Sequence, residues 1–138
     1  MGARKRLRAE KNKAERKEKA GAVLRNCPSS PRKMRLVADL VRGVEVNKAL
    51  AILRYSTKEA STKVEKLVLS AMANWEAKNQ GMRIEDSSVY VKEIFVDGGK
   101  MLKRIRTAPQ GRAHRIRKRS NHVTVVLGSK NANDTQAK

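Results

Sequence analysis

Large apolar residues enter the chain in number only at Ala22-Val23-Leu24, a short candidate strand ahead of the turn-rich stretch Asn26-Cys27-Pro28-Ser29-Ser30. The period then turns helical. Met34, Val37, Ala38 and Val41 recur at i, i+3, i+4 and i+7, with Leu36 and Leu40 beside them. Ser30 suits the N-cap, Pro31 the first helical position, where its missing N–H costs nothing, and Gly43 the left-handed residue after the last turn. A second helix is predicted from Val46 to about Arg54, with Ala49, Leu50, Ile52 and Leu53 as its apolar side. The third and longest opens on a capping box of Ser56 and Glu59. Its broad core stripe, Ala60, Val64, Leu67, Val68, Ala71, Met72 and Trp75, runs out near Lys78-Asn79-Gln80-Gly81.

After Gly81 the period falls to two. Ser88 to Val96 is rich in Val, Tyr, Ile and Phe, and Asn121 to Leu127 in Val and Thr, so both predict strands. Between them the turn residues Pro109 and Gly111 make a β-hairpin whose distal part is a finger over about 98–119. At ~3.3 Å per residue, the finger projects about 30 Å from Gly98 to its tip. Met101, Leu102, Ile105 and Ile116 are too few to pack against a second layer, so such a finger is only marginally ordered alone. The expected fold class is α+β: three helices packed on a small three-stranded antiparallel sheet, with a long projecting β-hairpin. One domain covers 21–128, between a basic N-terminal extension, 1–20, and a disordered tail, 129–138.

Charge changes the picture from fold to partner. The chain carries 33 Lys and Arg against 13 Asp and Glu, a net charge of +20. Most of these cations have no acid to pair with, and nucleic acid supplies phosphate most densely. From Lys100 to Arg119 there are nine Lys or Arg and no acid: Lys100, Lys103, Arg104, Arg106, Arg112, Arg115, Arg117, Lys118 and Arg119. Such one-signed charge opposes compaction unless a polyanion neutralises it. Arg32, Lys33 and Arg35 crowd the first turn of the first helix, where they oppose the helix dipole; a phosphate there removes the conflict. Residues 1–20 are permitted to be helical by propensity but have no face to bury, so alone they are expected to be disordered and to order against RNA. A solubilising tail is the plainer alternative.

Other chemistry is sparse. No apolar stretch approaches the ~20 residues of a membrane span, and the basic runs lack the bulky apolar face that anionic lipid requires. The cationic start leads into no apolar h-region, so a cytoplasmic protein is expected. The single cysteine, Cys27, has no internal disulfide partner and reads as a small semi-buried thiol. The acids are dispersed, and His114 and His122, eight apart in one expected strand, have no neighbouring Cys or carboxylate, so no metal, cofactor or catalytic residue is assigned. Asp97-Gly98-Gly99 lacks the Lys-Ser or Lys-Thr of a P-loop and reads as a turn or bulge at the hairpin base. Tyr55, Trp75, Tyr90 and Phe95 all lie in patterned elements, which favours binding of folded RNA by phosphate contact and shape. An RNA-processing enzyme, suggested only by basicity and two His, and a free RNA chaperone are the alternatives.

Two runs are recognisable. Ser30-Pro31-Arg32-Lys33-Met34-Arg35-Leu36-Val37-Ala38-Asp39-Leu40-Val41-Arg42-Gly43, with Ala49 and Leu50, closely resembles the first helices of the universal large-subunit ribosomal protein family number twenty-two in its bacterial form. Lys92-Glu93-Ile94-Phe95-Val96-Asp97, Lys103-Arg104-Ile105, Gly111-Arg112-Ala113, Arg115-Ile116 and His122-Val123-Thr124-Val125-Val126 resemble that family's hairpin in order and spacing. Together they cover about residues 22–128.

The resemblance implies a structural constituent of the large ribosomal subunit. Its finger would thread between segments of large-subunit rRNA and bridge rRNA domains, its tip lining the nascent-peptide exit tunnel. The implied partners are rRNA, neighbouring large-subunit proteins and the nascent polypeptide. The rRNA-contacting residues are then Arg4, Lys5, Arg6, Arg8, Lys11, Lys13, Arg25, Ser30, Arg32, Lys33, Arg35, Lys100, Lys103, Arg104, Arg112, His114, Arg115, Arg117, Lys118 and Arg119. The matched tip is Arg106, Thr107, Ala108, Pro109, Gln110, Gly111 and Arg112. Two departures stand out. Ala108-Pro109 replaces the family's usual basic-then-small pair, with Arg106 supplying charge earlier, and Pro109 fixes φ and stiffens the tip. The basic extension 1–20 is not required by the family core and is expected to add rRNA contacts.

Overall fold

The computed structural model describes residues 3–79 and 87–129. In chain order it runs α1 (Ala3–Glu18), β1 (Gly21–Cys27), α2 (Pro31–Val41), α3 (Val46–Tyr55), α4 (Glu59–Lys78), β2 (Val89–Gly98), β3 (Leu102–Thr107), a 3-10 turn (Pro109–Gly111), β4 (Ala113–Lys118) and β5 (Asn121–Ser129). The class is α+β. Among the described residues, β1, β5 and β2 form an antiparallel sheet in that order, and β3 pairs only with β4.

Strand alternation puts one apolar row against the helices. Val123, Val125 and Leu127 of β5 are buried, as are Val89 and Val91 of β2 and then Ile94 and Val96. The switch from odd to even positions in β2 follows from a bulge between Val91 and Glu93, which adds one residue and restores the apolar side to the core. Against this face pack Met34, Val37, Ala38 and Val41 of α2, Val46, Ala49 and Leu53 of α3, and the stripe Ala60, Val64, Leu67, Val68, Ala71 and Trp75 of α4. Leu36, Leu40 and Ile52, grouped with the apolar faces from sequence, are exposed instead.

α2 also closes one edge of the sheet. Beyond the point where Gly43 N–H donates to Val91 O and Val91 N–H to Val44 O, each at 2.9 Å, the ladder on the outer edge of β2 ends. Two arginines take over: Arg42 Nη2 donates to Ile94 O at 3.2 Å and Arg35 Nη2 to Val96 O at 3.1 Å. Unpaired edge carbonyls are thereby covered without a further strand.

Several expectations need correction. Among the described residues there are four α-helices rather than three, the additional one being α1 in the basic extension. β1 extends to Cys27, with an irregularity between Leu24 and Cys27 where Asn26 takes a left-handed φ of 54°. Ser30 sits at the N-cap of α2, followed by Pro31, yet its side chain makes no capping bond. The capping box of α4 is not formed: the N-cap is Lys58, whose N–H meets Ser56 Oγ at 3.5 Å. Glu59 turns forward to Lys63 Nζ at 2.7 Å, and that bond holds its carboxyl below the usual range. Gly43 ends α2 with φ 74°, as its position predicts. The expected run-out at Gln80-Gly81 lies outside the described residues; of the tail expected over 129–138, Ser129 instead ends β5 and 130–138 lie outside the described residues.

Candidate nucleic-acid interface

The β3–β4 ribbon begins where the body's core ends. Asn121 opens β5 between Cys27 of β1 and Gly98 of β2, and it is fully buried. Gly99 N–H donates to Ser120 O at 2.9 Å, and Ser120 Oγ donates to Lys100 O. These bonds join the two arms at their root. Each arm then runs for six residues, about 20 Å at ~3.3 Å per residue. Except for the partly covered Ile116, every residue of both strands is exposed.

Pairing assigns each side chain to a face of this ribbon. Leu102 lies opposite Lys118, Arg104 opposite Ile116 and Arg106 opposite His114; these share one face. Lys103 opposite Arg117, Ile105 opposite Arg115 and Thr107 opposite Ala113 share the other. Arg104, Arg106 and Lys118 therefore oppose Lys103, Arg115 and Arg117 across the ribbon. Lys103 and Arg117 are a directly paired like-charge couple, which is destabilising unless an anion lies over both.

The tip is closed by main-chain bonds. Ala108 N–H donates to Arg112 O at 2.9 Å and Arg112 N–H to Pro109 O at 3.4 Å. Gln110 and Gly111 both take left-handed φ values, 60° and 70°. Gly111 does so without strain, whereas Gln110 holds a conformation that glycine or asparagine adopts more readily.

A second basic region forms where α2 meets the ribbon root. One groove is lined by Ser30, Pro31, Arg32, Arg35, Gly98 and Arg119. The adjoining groove adds Ser29, Lys100, Arg117 and Lys118. The fold thus gathers residues that are far apart in sequence, and the N-terminus of α2 faces basic side chains of the ribbon. Arg35 is only partly available, because Nη2 is committed to Val96 O.

The remaining predicted residues lie elsewhere. Arg4, Lys5, Arg6, Arg8, Lys11 and Lys13 are all exposed on α1, where Arg6 approaches Glu10 at 3.5 Å. Arg25 borders a groove between β1 and α4. His114 is on β4 and His122 on β5, so the two are not in one strand; His122 Nδ1 accepts from Asn26 N–H at 3.0 Å. Sequence reasoning missed Asn121 and Ser29, whose contact brings the α2 turn to the ribbon root. Phe95 and Tyr55 do lie in patterned elements, β2 and α3, yet they are 51% and 86% exposed. For Phe95 the signal was its parity: it is out of step with Ile94 and Val96 once the bulge at Val91/Glu93 is recognised.

Among the described residues no group of His, Cys, Asp or Glu is placed to hold a metal ion, and no helix is long and apolar enough to cross a membrane.

Similarity to known proteins agrees with this arrangement. The family described as ribosomal protein L22p/L17e matches residues 22–128. The large ribosomal subunit protein uL22 of Christiangramia forsetii is 66% identical over 131 residues, 95% of this chain and 97% of that protein. The protein of the same name from Flavobacterium psychrophilum is 65% identical over 137 residues, 99% of this chain and 98% of its own. That of Bacteroides fragilis is 59% identical over 136 residues, 99% of each. With a match from β1 to the end of the sheet and relatives aligned nearly end to end, the chain belongs to the L22p/L17e family of ribosomal proteins, structural components rather than enzymes.

Proposed function

We propose that the chain is a structural constituent of the large subunit of the cytoplasmic ribosome, in which the β3–β4 finger passes between segments of rRNA and holds them together. The observation that carries this is the even division of cations over the two faces of a ribbon that no other layer covers among the described residues: Arg104, Arg106 and Lys118 against Lys103, Arg115 and Arg117. A ribbon lying on one RNA surface needs charge on one face. Charge on both faces suits phosphate on both, and neutralising each side lets RNA segments approach across about 10 Å of protein, the thickness of a sheet layer.

The two adjoining grooves that Ser30, Arg32, Lys100, Arg117 and Arg119 line seat the body on rRNA, with the N-terminus of α2 adding its partial positive charge. The exposed α1 of the extension 1–20 contributes further phosphate contacts and becomes fixed on RNA. The tip from Arg106 to Arg112 faces the exit tunnel and the nascent polypeptide; its closed turn and Pro109 keep the wall rigid there. Neighbouring large-subunit proteins complete the set of partners.

Sucrose-gradient sedimentation tests the assignment. The chain should comigrate with the large subunit and remain there after moderate salt; recovery mainly in the free pool would sink the reading. A nascent-chain cross-link from a photoreactive group at Gln110 tests the tip, and its absence on translating ribosomes would remove the tunnel from the proposal.

A further inference from the structure

The two edges of the β1-β5-β2 sheet are treated differently. On the β2 side, Arg35, Arg42 and residues 43–45 take the outward main-chain groups. On the β1 side, Leu127 N–H donates to Ala20 O at 2.9 Å, which fixes the phase of the ladder. Ala22 and Leu24 therefore also turn their main-chain groups toward β5, while Gly21 and Val23 turn theirs to the outer edge.

α4 covers that edge only in part. Lys78 Nζ donates to Lys19 O at 2.5 Å, and Asn74 Nδ2 donates to Gly21 O at 3.0 Å. The steps match because four helical residues rise about 6 Å and two strand residues about 6.6 Å. The next position in the series is Ser70, opposite Val23, and its short side chain makes no bond to β1. Among the described residues, Val23 thus has neither an acceptor for its N–H nor a donor for its C=O, and its side chain is 53% exposed. Beside it lies a groove of 450 Å³ lined by Val23, Leu24, Cys27, Lys63, Lys66 and Leu67.

We propose that this open edge seats an extended polypeptide segment of another protein of the same ribosomal subunit, added beside Val23 as a short extra strand. This rests on the chain's being a large-subunit protein. Val23 presents a donor and an acceptor at strand spacing, which a second peptide backbone meets with its own C=O and N–H. A phosphate satisfies only the donor. Leu24, Cys27 and Leu67 give the groove an apolar floor, which favours a small apolar side chain from the added segment. Lys66 and Arg25, both exposed and without an ion pair among the described residues, border the groove and favour an acidic residue next to it. The irregularity after Leu24, with Asn26 left-handed, ends the regular edge and keeps the added strand short.

The full chain carrying Ser70→p-benzoylphenylalanine, incorporated into large subunits and irradiated there, tests this. The expected product is a cross-link to one defined peptide of a second large-subunit protein. In the same background Val23→Pro removes the outward N–H without taking a bond from the β5 ladder, and it should lower the yield at least about fivefold, the effect of one lost main-chain hydrogen bond; Val23→Ala, which removes the side chain alone, should not. A cross-link to rRNA alone, or none in intact subunits, overturns the proposal while leaving the ribosomal assignment standing. Failure of the unsubstituted chain to enter large subunits overturns both.

Discussion

Asn121 donates both hydrogens of its side-chain amide to Ser29, one to the carbonyl oxygen and one to Oγ, each at 2.8 Å. The pair spans the boundary between the body and the ribbon. Asn121 is the central residue of the row Cys27–Asn121–Gly98, and Ser29 immediately precedes the N-cap of α2. Through this contact the start of α2 is held beside the ribbon root, so that Arg32 and Arg119 border one groove.

Replacing Asn121 should therefore cost more than a surface polar change. Asn121→Ala leaves the partly buried Ser29 O without its donor, an expected loss of about 1 to 2 kcal/mol. Asn121→Asp should be worse, because it removes both donors and sets a buried carboxylate against the Ser29 oxygens. Denaturant unfolding of the purified chain measures both. Stabilities equal to that of an exposed control such as Asn47→Ala would contradict the role given to this contact.

Arg35 and Arg32 stand in the same first turn of α2 and should behave differently. Arg35 Nη2 bonds Val96 O, and Arg42 Nη2 bonds Ile94 O, so both arginines cover the β2 edge. Arg32 makes no hydrogen bond or ion pair among the described residues and lines the basic groove. Arg35→Ala and Arg42→Ala are each expected to lower the stability of the free chain by about 1 kcal/mol. Arg32→Ala is expected to leave stability unchanged and weaken rRNA binding. Thermal unfolding alongside binding to an rRNA fragment separates the two, and equal loss of stability for all three would refute the division.

How far the sequence disclosed this follows from which interactions are local. Helical period, Pro31 and Gly43 located α2, and the stripe from Ala60 to Trp75 located α4, because such signals lie within a few residues of one another. Capping by Ser56 was misread because Glu59 has a competing partner one turn on, Lys63. The nine cations from Lys100 to Arg119 were evident, but not the division of the six within β3 and β4 into two faces, which depends on the register Leu102–Lys118 that sequence leaves open. Asn121 and Ser29, separated by 92 positions, and Arg35 and Val96, by 61, carry no local pattern at all.

Gly99 offers a test of the ribbon root that leaves charge untouched. A Cβ there would lie 2.5 Å from Ser120 Oγ, 3.2 Å from Ser120 C and 3.3 Å from Asn121 N, so two of the three obstacles are backbone. Gly99→Ala is expected to shift the root by a few tenths of an ångström and to weaken rRNA binding with little change in body stability. Gly98→Ala is the control, since a Cβ at that position would meet nothing within 4 Å. Equal behaviour of the two variants in binding would show that the close approach of Gly99 to Ser120 is unimportant.

The two faces of the ribbon make the sharpest prediction about function. Each phosphate neutralised contributes about 0.7 to 0.9 to the slope of log K against log salt, so neutral replacement of three contacting cations should flatten it by about 2 to 3. Arg104, Arg106 and Lys118 replaced together by Gln should give that change, and so should Lys103, Arg115 and Arg117, because each trio occupies its own face. Stability of the body should be unaffected by either, since all six side chains lie on a ribbon outside the core. The Lys103 and Arg117 couple adds a distinguishing sign: relieving that repulsion should make the free ribbon more ordered, even as binding weakens. Should only one trio alter the salt slope, the ribbon would lie on a single RNA surface, and bridging by this finger would have to be abandoned.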